Sequence, residues 1–317
     1  MKILFMGTPD FAEGVLSAVC QSRHEVVAVV TQPDRPKGRS KTLVASPVKE
    51  FAKQRGIPVF QPERIKRPEE IEKLRAIDAD IYVVAAFGQI LSKEILDIPR
   101  YGCINVHASL LPEYRGAAPI QWAIADGKDQ TGVTIQQMNE GVDTGDIIAS
   151  SVVRISPDET GDSLFDKLMS EGASLAVDTL DLIERGEVRR IPQDESKATY
   201  AKMIKKEMGC IDFGTPAVCA ERLVRAFDPW PGVYTYLNGK VLKIKECSVY
   251  DGELSGEPGT VIEAKDALVI AFAEGALSVT SLQLEGKKQM PVHDFLLGNP
   301  LKLGTKLGET YQKAGER

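Results

Sequence analysis

The amino-acid sequence predicts an α/β chain in two parts, a parallel-rich sheet over residues 1–188 and a smaller barrel of short strands over 207–317. Three observations carry this. Residues 2–6 and 25–31 are short apolar, β-branched runs separated by a helical stretch at 11–21, the opening of a βαβ unit. Residues 79–86 form a further buried-strand run, so strands and helices keep alternating. Past residue 207 the pattern changes to closely spaced β segments at 232–237, 240–250, 259–264, 267–273 and 275–284, joined by turns such as Asn238-Gly239 and Ser255-Gly256. A five-stranded OB-like barrel is one arrangement of such segments, and barrels of that kind commonly bind oligonucleotides.

In chain order, Gly7-Thr8-Pro9-Asp10-Phe11 forms the first strand-to-helix turn, at the carboxyl end of a strand where open α/β sheets place ligands. It lacks Gly-x-Gly-x-x-Gly, which disfavours a dehydrogenase. Residues 32–48 mix proline, glycine and basic residues without periodicity and read as a long exposed loop. Helices follow at 48–55 and 69–76, and Ser92 is placed to cap another after the strand at 79–86. Residues 102–107 are strand, 117–125 helix, 131–138 strand and 147–155 strand. In the glycine-rich acidic loop 139–146, Gly141 and Gly145 suit the positive φ of a tight reversal. Ser163-x-x-Asp166 resembles a capping box ahead of an apolar stripe of Leu164, Phe165, Leu168, Leu175, Leu182 and Ile183. Residues 189–206 show little periodicity and read as a linker, before a helix at about 216–225.

Composition bounds the rest. With 317 residues, 43% hydrophobic and 26% charged, the chain can fill two domains. The apolar start is interrupted at Gly7-Thr8-Pro9, too early for a signal peptide or membrane span, so a cytoplasmic protein without membrane contact is expected. Five scattered cysteines fit a reducing compartment, and three histidines without a His/Cys cluster give no zinc ligand set; no metal is expected. The net charge of -6 hides local asymmetry: residues 31–55 carry seven Lys/Arg against Asp34 and Glu50, and 197–245 carry nine against four acids.

One pair of residues points to chemistry. Asn105 and His107 lie two apart on a strand and therefore face one side. An amide can donate to a developing oxyanion and an imidazole can move a proton near neutral pH. Alone, Asn-x-His is equally a strand end with a capping amide and a satisfied histidine.

Gly7-Thr8-Pro9-Asp10-Phe11, Thr31-Gln32-Pro33-Asp34-Arg35-Pro36, Ser46-Pro47-Val48-Lys49, Cys103-Ile104-Asn105-Val106-His107, Ser109-Leu110-Leu111-Pro112, Arg115-Gly116-Ala117-Ala118-Pro119-Ile120-Gln121, Asp143-Thr144-Gly145-Asp146 and Pro229-Trp230-Pro231-Gly232 together closely resemble the methionyl-tRNA formyltransferase family, in family order. The resemblance implies a Rossmann-like formyltransferase domain with an OB-like second domain. It implies formyl transfer from N10-formyltetrahydrofolate to the methionine α-amine of initiator tRNA, directly and without a covalent enzyme intermediate. A folate-dependent enzyme acting on a nucleotide-sugar or ribonucleotide amine is the alternative; a fold-sharing RNA-binding or regulatory protein would have no need of the complete trio. Asn105, His107 and Asp143 match the catalytic positions. Ser109, Leu110, Leu111 and Pro112 match a folate-contact segment, and Phe87, Gly88, Gln89, Ile90 and Leu91 are further candidates for the pterin pocket. Arg35, Lys37, Arg39, Lys41 and Lys49 fall in the loop expected to meet the tRNA acceptor end, and a monomer is expected. Ala108 and Ser40 stand where relatives often carry glycine.

Overall fold

The structure, a computed structural model, describes residues 1–37, 42–253 and 256–308. The chain forms two compact units: Met1–Ile120 with Asp129–Ile155 and Ser163–Lys202, and Gln121–Lys128 with Ser156–Asp162 and the described residues from Met203 onward.

The first unit opens with β1 (Lys2–Gly7), α1 (Asp10–Gln21) and β2 (Glu25–Val30). The stretch read as aperiodic loop contains a short antiparallel hairpin of β3 (Arg35–Lys37) and β4 (Thr42–Val44), which three-residue strands without alternation do not announce. Next come α2 (Pro47–Gln54), β5 (Val59–Phe60), α3 (Pro68–Arg75), β6 (Ile81–Ala85), α4 (Lys93–Leu96), β7 (Cys103–His107), β8 (Arg115–Gly116), α5 (Pro119–Ala125), β9 (Gln130–Gln137), β10 (Ile147–Arg154), α6 (Gly161–Arg185) and β11 (Tyr200–Ala201). The main sheet runs β10-β9-β7-β6-β1-β2-β5. Its pairs from β7 to β5 are parallel, whereas β9 is antiparallel to β7 and to β10. Because β1 leads to β2 on one side and β6 to β7 on the other, strand order reverses between β1 and β6, the place where such sheets bind ligands at their carboxyl ends.

The central parallel strands β1 and β6 are buried almost throughout, on both faces, because helices cover them. Two local readings shift. Ser92 precedes α4, yet its Oγ is buried without a hydrogen-bond partner and caps nothing. α6 starts at Gly161, so Ser163 sits inside its first turn and is no N-cap. Its buried stripe runs through Leu164, Leu168, Ala176, Leu180 and Ile183, leaving Leu175 and Leu182 half-buried. The small residues explain the rotation: a Cβ added at Gly172 would stand 3.1 Å from Val106 Cγ1 and 3.4 Å from Val133 Cγ1, so the helix lies close on β7 and β9.

The second unit carries α7 (Ala217–Ala226), β12 (Val233–Leu237), β13 (Lys240–Val249), β14 (Val261–Ala264), β15 (Leu268–Ala271), β16 (Ala276–Leu284), β17 (Met290–Pro291) and α8 (Val292–Gly298). Every strand pair is antiparallel, in the order β12-β13-β16-β15-β14 with β17 added to β16. Among the described residues these pairings do not close into a ring. In β12, Val233, Thr235 and Leu237 are buried while Tyr234 and Tyr236 are half-exposed, the alternation of a sheet with one covered face.

Candidate active site

The site forms where β7 ends. Asn105 and His107 face one side of the strand, and across the antiparallel ladder they meet Gln136 and Thr134 of β9. Directly opposed residues share a face, so four polar side chains are gathered by two strands alone. The loop between β9 and β10 then brings in Asp143. Its Oδ1 accepts from Asn105 Nδ2 at 3.3 Å and Gln136 Nε2 at 2.9 Å, and its Oδ2 accepts from the Gly116 N–H at 2.9 Å. His107 Nδ1 lies 3.6 Å from Asp143 Oδ2, with both side chains largely buried.

The other imidazole nitrogen has a fixed role. His107 Nε2 is 2.9 Å from the Tyr114 carbonyl oxygen. A carbonyl only accepts, so Nε2 carries a proton, and Nδ1 is the nitrogen left facing the Asp143 carboxylate.

The loop that carries Asp143 is shaped differently from its sequence expectation. The left-handed residue is Asp143 itself, at φ 54°, whereas Gly141 and Gly145 are absent from the positive-φ positions. Gly145 is instead required by close approach, since a Cβ there would stand 1.8 Å from the Gln137 carbonyl oxygen. The Gly145 N–H donates to Gln136 Oε1 at 3.1 Å, so Gln136 grips both the Asp143 carboxylate and the loop backbone. Gln136 was legible in principle: Thr134 and Gln136 repeat, two residues apart on a strand, the pattern that singles out Asn105 and His107.

The candidate folate segments divide by burial. Ser109 and Leu111 are buried, while Leu110 and Pro112 are half-exposed. Thr134 fixes this turn, its hydroxyl donating to the Ser109 carbonyl at 2.7 Å and accepting from the Leu111 N–H at 3.0 Å. Ser109 Oγ donates to the Glu113 carbonyl at 2.6 Å, which makes Ser109 a brace of the turn. After β6, Phe87 and Leu91 belong to the apolar core. Gln89 is tied to its neighbours, accepting from the Ile65 N–H at 2.8 Å and donating to the Pro62 carbonyl at 2.9 Å. Gly88 is exposed at φ 83° and Ile90 is exposed, so these two present the loop's surface at the switch point.

In the basic region, Arg35 is exposed on β3. Lys49 is not: its Nζ pairs with Asp34 at 2.6 Å, and the Ser46 hydroxyl starts α2 beneath it by accepting from the Lys49 N–H. Hydrogen bonds from Lys49 and then Gln61 hold the Asp34 carboxyl below the usual carboxylate range. Arg39, Lys41 and the Lys37 side chain lie outside the described residues. Away from the site, His24, Asp181 and Glu184 bring ligand-type atoms within 4.8 Å of one another, but Arg23 lies 2.7 Å from Asp181 and 2.5 Å from Glu184, making the group an ion-pair network.

Comparison with known proteins gives this geometry a family. The formyl transferase model matches residues 1–180, and the model of the formyl transferase C-terminal domain matches 203–300. The methionyl-tRNA formyltransferase of Agathobacter rectalis is 55% identical over 96% of this chain and 99% of its own length. That of Geotalea daltonii is 50% identical over 97% and 98%. Among solved structures, a sugar 3N-formyl transferase, WlaRD, crystallised in the presence of dTDP and 5-N-formyl-THF, aligns with a TM-score of 0.68 at 19% identity, covering 91% of this chain and 99% of that one. The N-formyltransferase of Helicobacter canadensis aligns at 0.67 and 18% identity, covering 88% and 98%, and shares the fold. With both family models matched in order and near-complete coverage of relatives at such identity, the chain belongs to the methionyl-tRNA formyltransferase family.

Proposed function

We propose that this chain transfers the formyl group of N10-formyltetrahydrofolate to the α-amine of methionine carried on initiator tRNA, for translation initiation. The single observation that carries this is the Asn105, His107 and Asp143 constellation at the carboxyl end of β7, in a chain similar over nearly its full length to methionyl-tRNA formyltransferases.

Attack of the amine on the formyl carbon creates an oxyanion, and proton transfers must accompany loss of the folate nitrogen. The Asn105 amide has two N–H groups; one is directed at Asp143 and the other serves the oxyanion. His107 Nδ1 manages the proton, because Nε2 is committed to the Tyr114 carbonyl. Asp143 faces that same nitrogen, with Oδ2 3.6 Å from Nδ1, and orients the imidazole. No side chain is needed as a nucleophile, so transfer is direct.

For the folate, the half-exposed Leu110 and Pro112 with exposed Gly88 and Ile90 fit a flat heteroaromatic ring, which needs apolar faces and backbone polar groups. Ser109, Leu111, Phe87, Gln89 and Leu91 support that surface from behind. We assign catalysis to residues 1–188 and the grip on tRNA to 207–317, joined by 189–206. Arg35, Lys37, Arg39 and Lys41 contact acceptor-end phosphates, and Lys49 pins the base of their loop through Asp34. The enzyme acts as a cytoplasmic monomer; among the described residues no helix is long and apolar enough to cross a membrane.

The test is incubation of purified protein with N10-formyltetrahydrofolate and charged initiator tRNA, with elongator Met-tRNA and a nucleotide-linked amino sugar as parallel acceptors. Formylmethionine on initiator tRNA is expected. Formylation of the amino sugar in its place would transfer the assignment to the small-molecule formyltransferases.

A further inference from the structure

The segment that the sequence offers only as a linker reaches the catalytic loop through one amide. Gln193 Nε2 donates to the Asp143 carbonyl at 2.9 Å and to the Gly145 carbonyl at 2.7 Å, stapling the backbone on both sides of Thr144. Gln193 Oε1 accepts from Arg115 Nε at 3.0 Å and Nη2 at 2.7 Å. Arg115 is 1% exposed, and the Glu195 carboxylate takes its Nη1 at 2.8 Å and Nη2 at 2.7 Å. The residue after Arg115 supplies the N–H that binds Asp143 Oδ2, and β8 is held by pairing with β11, Arg115 opposite Tyr200 and Gly116 opposite Ala201.

From this arrangement we infer that Gln193 is a positioning residue for formyl transfer, holding Asp143 in its left-handed conformation so that its carboxylate stays opposite His107 Nδ1. The physical need is specific. A non-glycine residue at φ 54° costs energy that its own side chain does not repay when that side chain is committed elsewhere, and Asp143's is engaged by Asn105, Gln136 and Gly116. Two carbonyls held by one rigid amide supply the missing restraint on the backbone. The amide is itself aimed by a buried guanidinium whose charge is matched by Glu195, so the orientation of Gln193 is fixed by a planar hydrogen-bonding fork. The chain on either side of Gln193 is anchored too, by the reciprocal Ile147–Ile191 bridge before it and by β11 after it.

This inference rests on the formyl-transfer assignment, and Gln193→Glu separates the two. The new carboxylate still accepts from Arg115, so the buried guanidinium keeps a partner, but it cannot donate to the two loop carbonyls. The full-length variant is expected to lose roughly 10²-fold in kcat, the cost of a misplacement of about 1 Å, while KM for N10-formyltetrahydrofolate and affinity for Met-tRNA are kept. In an Asp143→Asn background the same substitution should add little, because both changes act on one carboxylate. Gln193→Met, nearly isosteric, is the second variant and should show the same kcat loss without a KM change. Unchanged kcat in both variants, equal losses with and without Asp143→Asn, or losses that merely follow the folded fraction in thermal melts would overturn the inference. A wild-type enzyme that formylates no Met-tRNA would overturn the activity assignment instead.

Discussion

At the scale of single residues, His107 carries the most defined chemistry. Its Nε2 is committed to a carbonyl and its Nδ1 faces a carboxylate that already accepts three hydrogen bonds. Asp143 combines a chemical and a conformational demand, and substitution separates them. Asp143→Gly and Asp143→Ala should both abolish transfer, yet the glycine variant should be the more stable by about 1–2 kcal/mol, since only alanine meets the left-handed steric penalty. Denaturant unfolding of the two variants gives that difference; equal stabilities would mean the loop relaxes out of its left-handed state. Asn105 and His107 were legible because a strand's period of two places them together. Asp143 was legible as a member of a family pattern, but its backbone conformation was not, because two glycines in the same loop are the more economical guess for positive φ. Gln193 lies 50 residues from the loop it binds and carries no local signal.

At the scale of elements, the site depends on pieces that look unimportant alone. The two-residue strands β8 and β11 and the turn around Glu195 brace the loop that follows β9. Arg115 holds the Glu195 carboxyl below its ordinary value of 4.5, chiefly through hydrogen bonds. A carboxyl with a depressed folded-state pKa contributes stability that is fully present above the unfolded value and disappears as pH falls through the folded one. Glu195→Gln should therefore lower the melting temperature at neutral pH, with the gap to the wild type closing in acid below 4.5. A gap that persisted unchanged into acid would show that the charge is not what Arg115 recognises. The β3–β4 hairpin, the uncapped start of α4 and the register of α6 escaped the sequence for a shared reason. Each is decided by tertiary neighbours, such as the approach of Gly172 to β7, and not by local propensity.

At the scale of the whole chain, the alternation of buried runs and helices made the parallel sheet readable from residue 2 onward, and the switch in rhythm after residue 207 announced antiparallel strands. Whether those strands close is not encoded in their spacing, since closure depends on stagger and tilt. The net charge of -6 says nothing of a tRNA partner; its distribution does. Neutralising Arg39 and Lys41 together should weaken Met-tRNA binding and lower the slope of log affinity against log salt by about one to two, the share of two phosphate contacts. An unchanged slope would remove the loop from the tRNA interface. Single-turnover formylation by His107→Ala, with saturating N10-formyltetrahydrofolate and charged initiator tRNA, tests whether His107 moves the proton in a direct transfer. Formylmethionyl-tRNA formation is expected to be abolished while tRNA affinity stays near that of the wild type; transfer at the wild-type rate would remove His107 from the proton transfer.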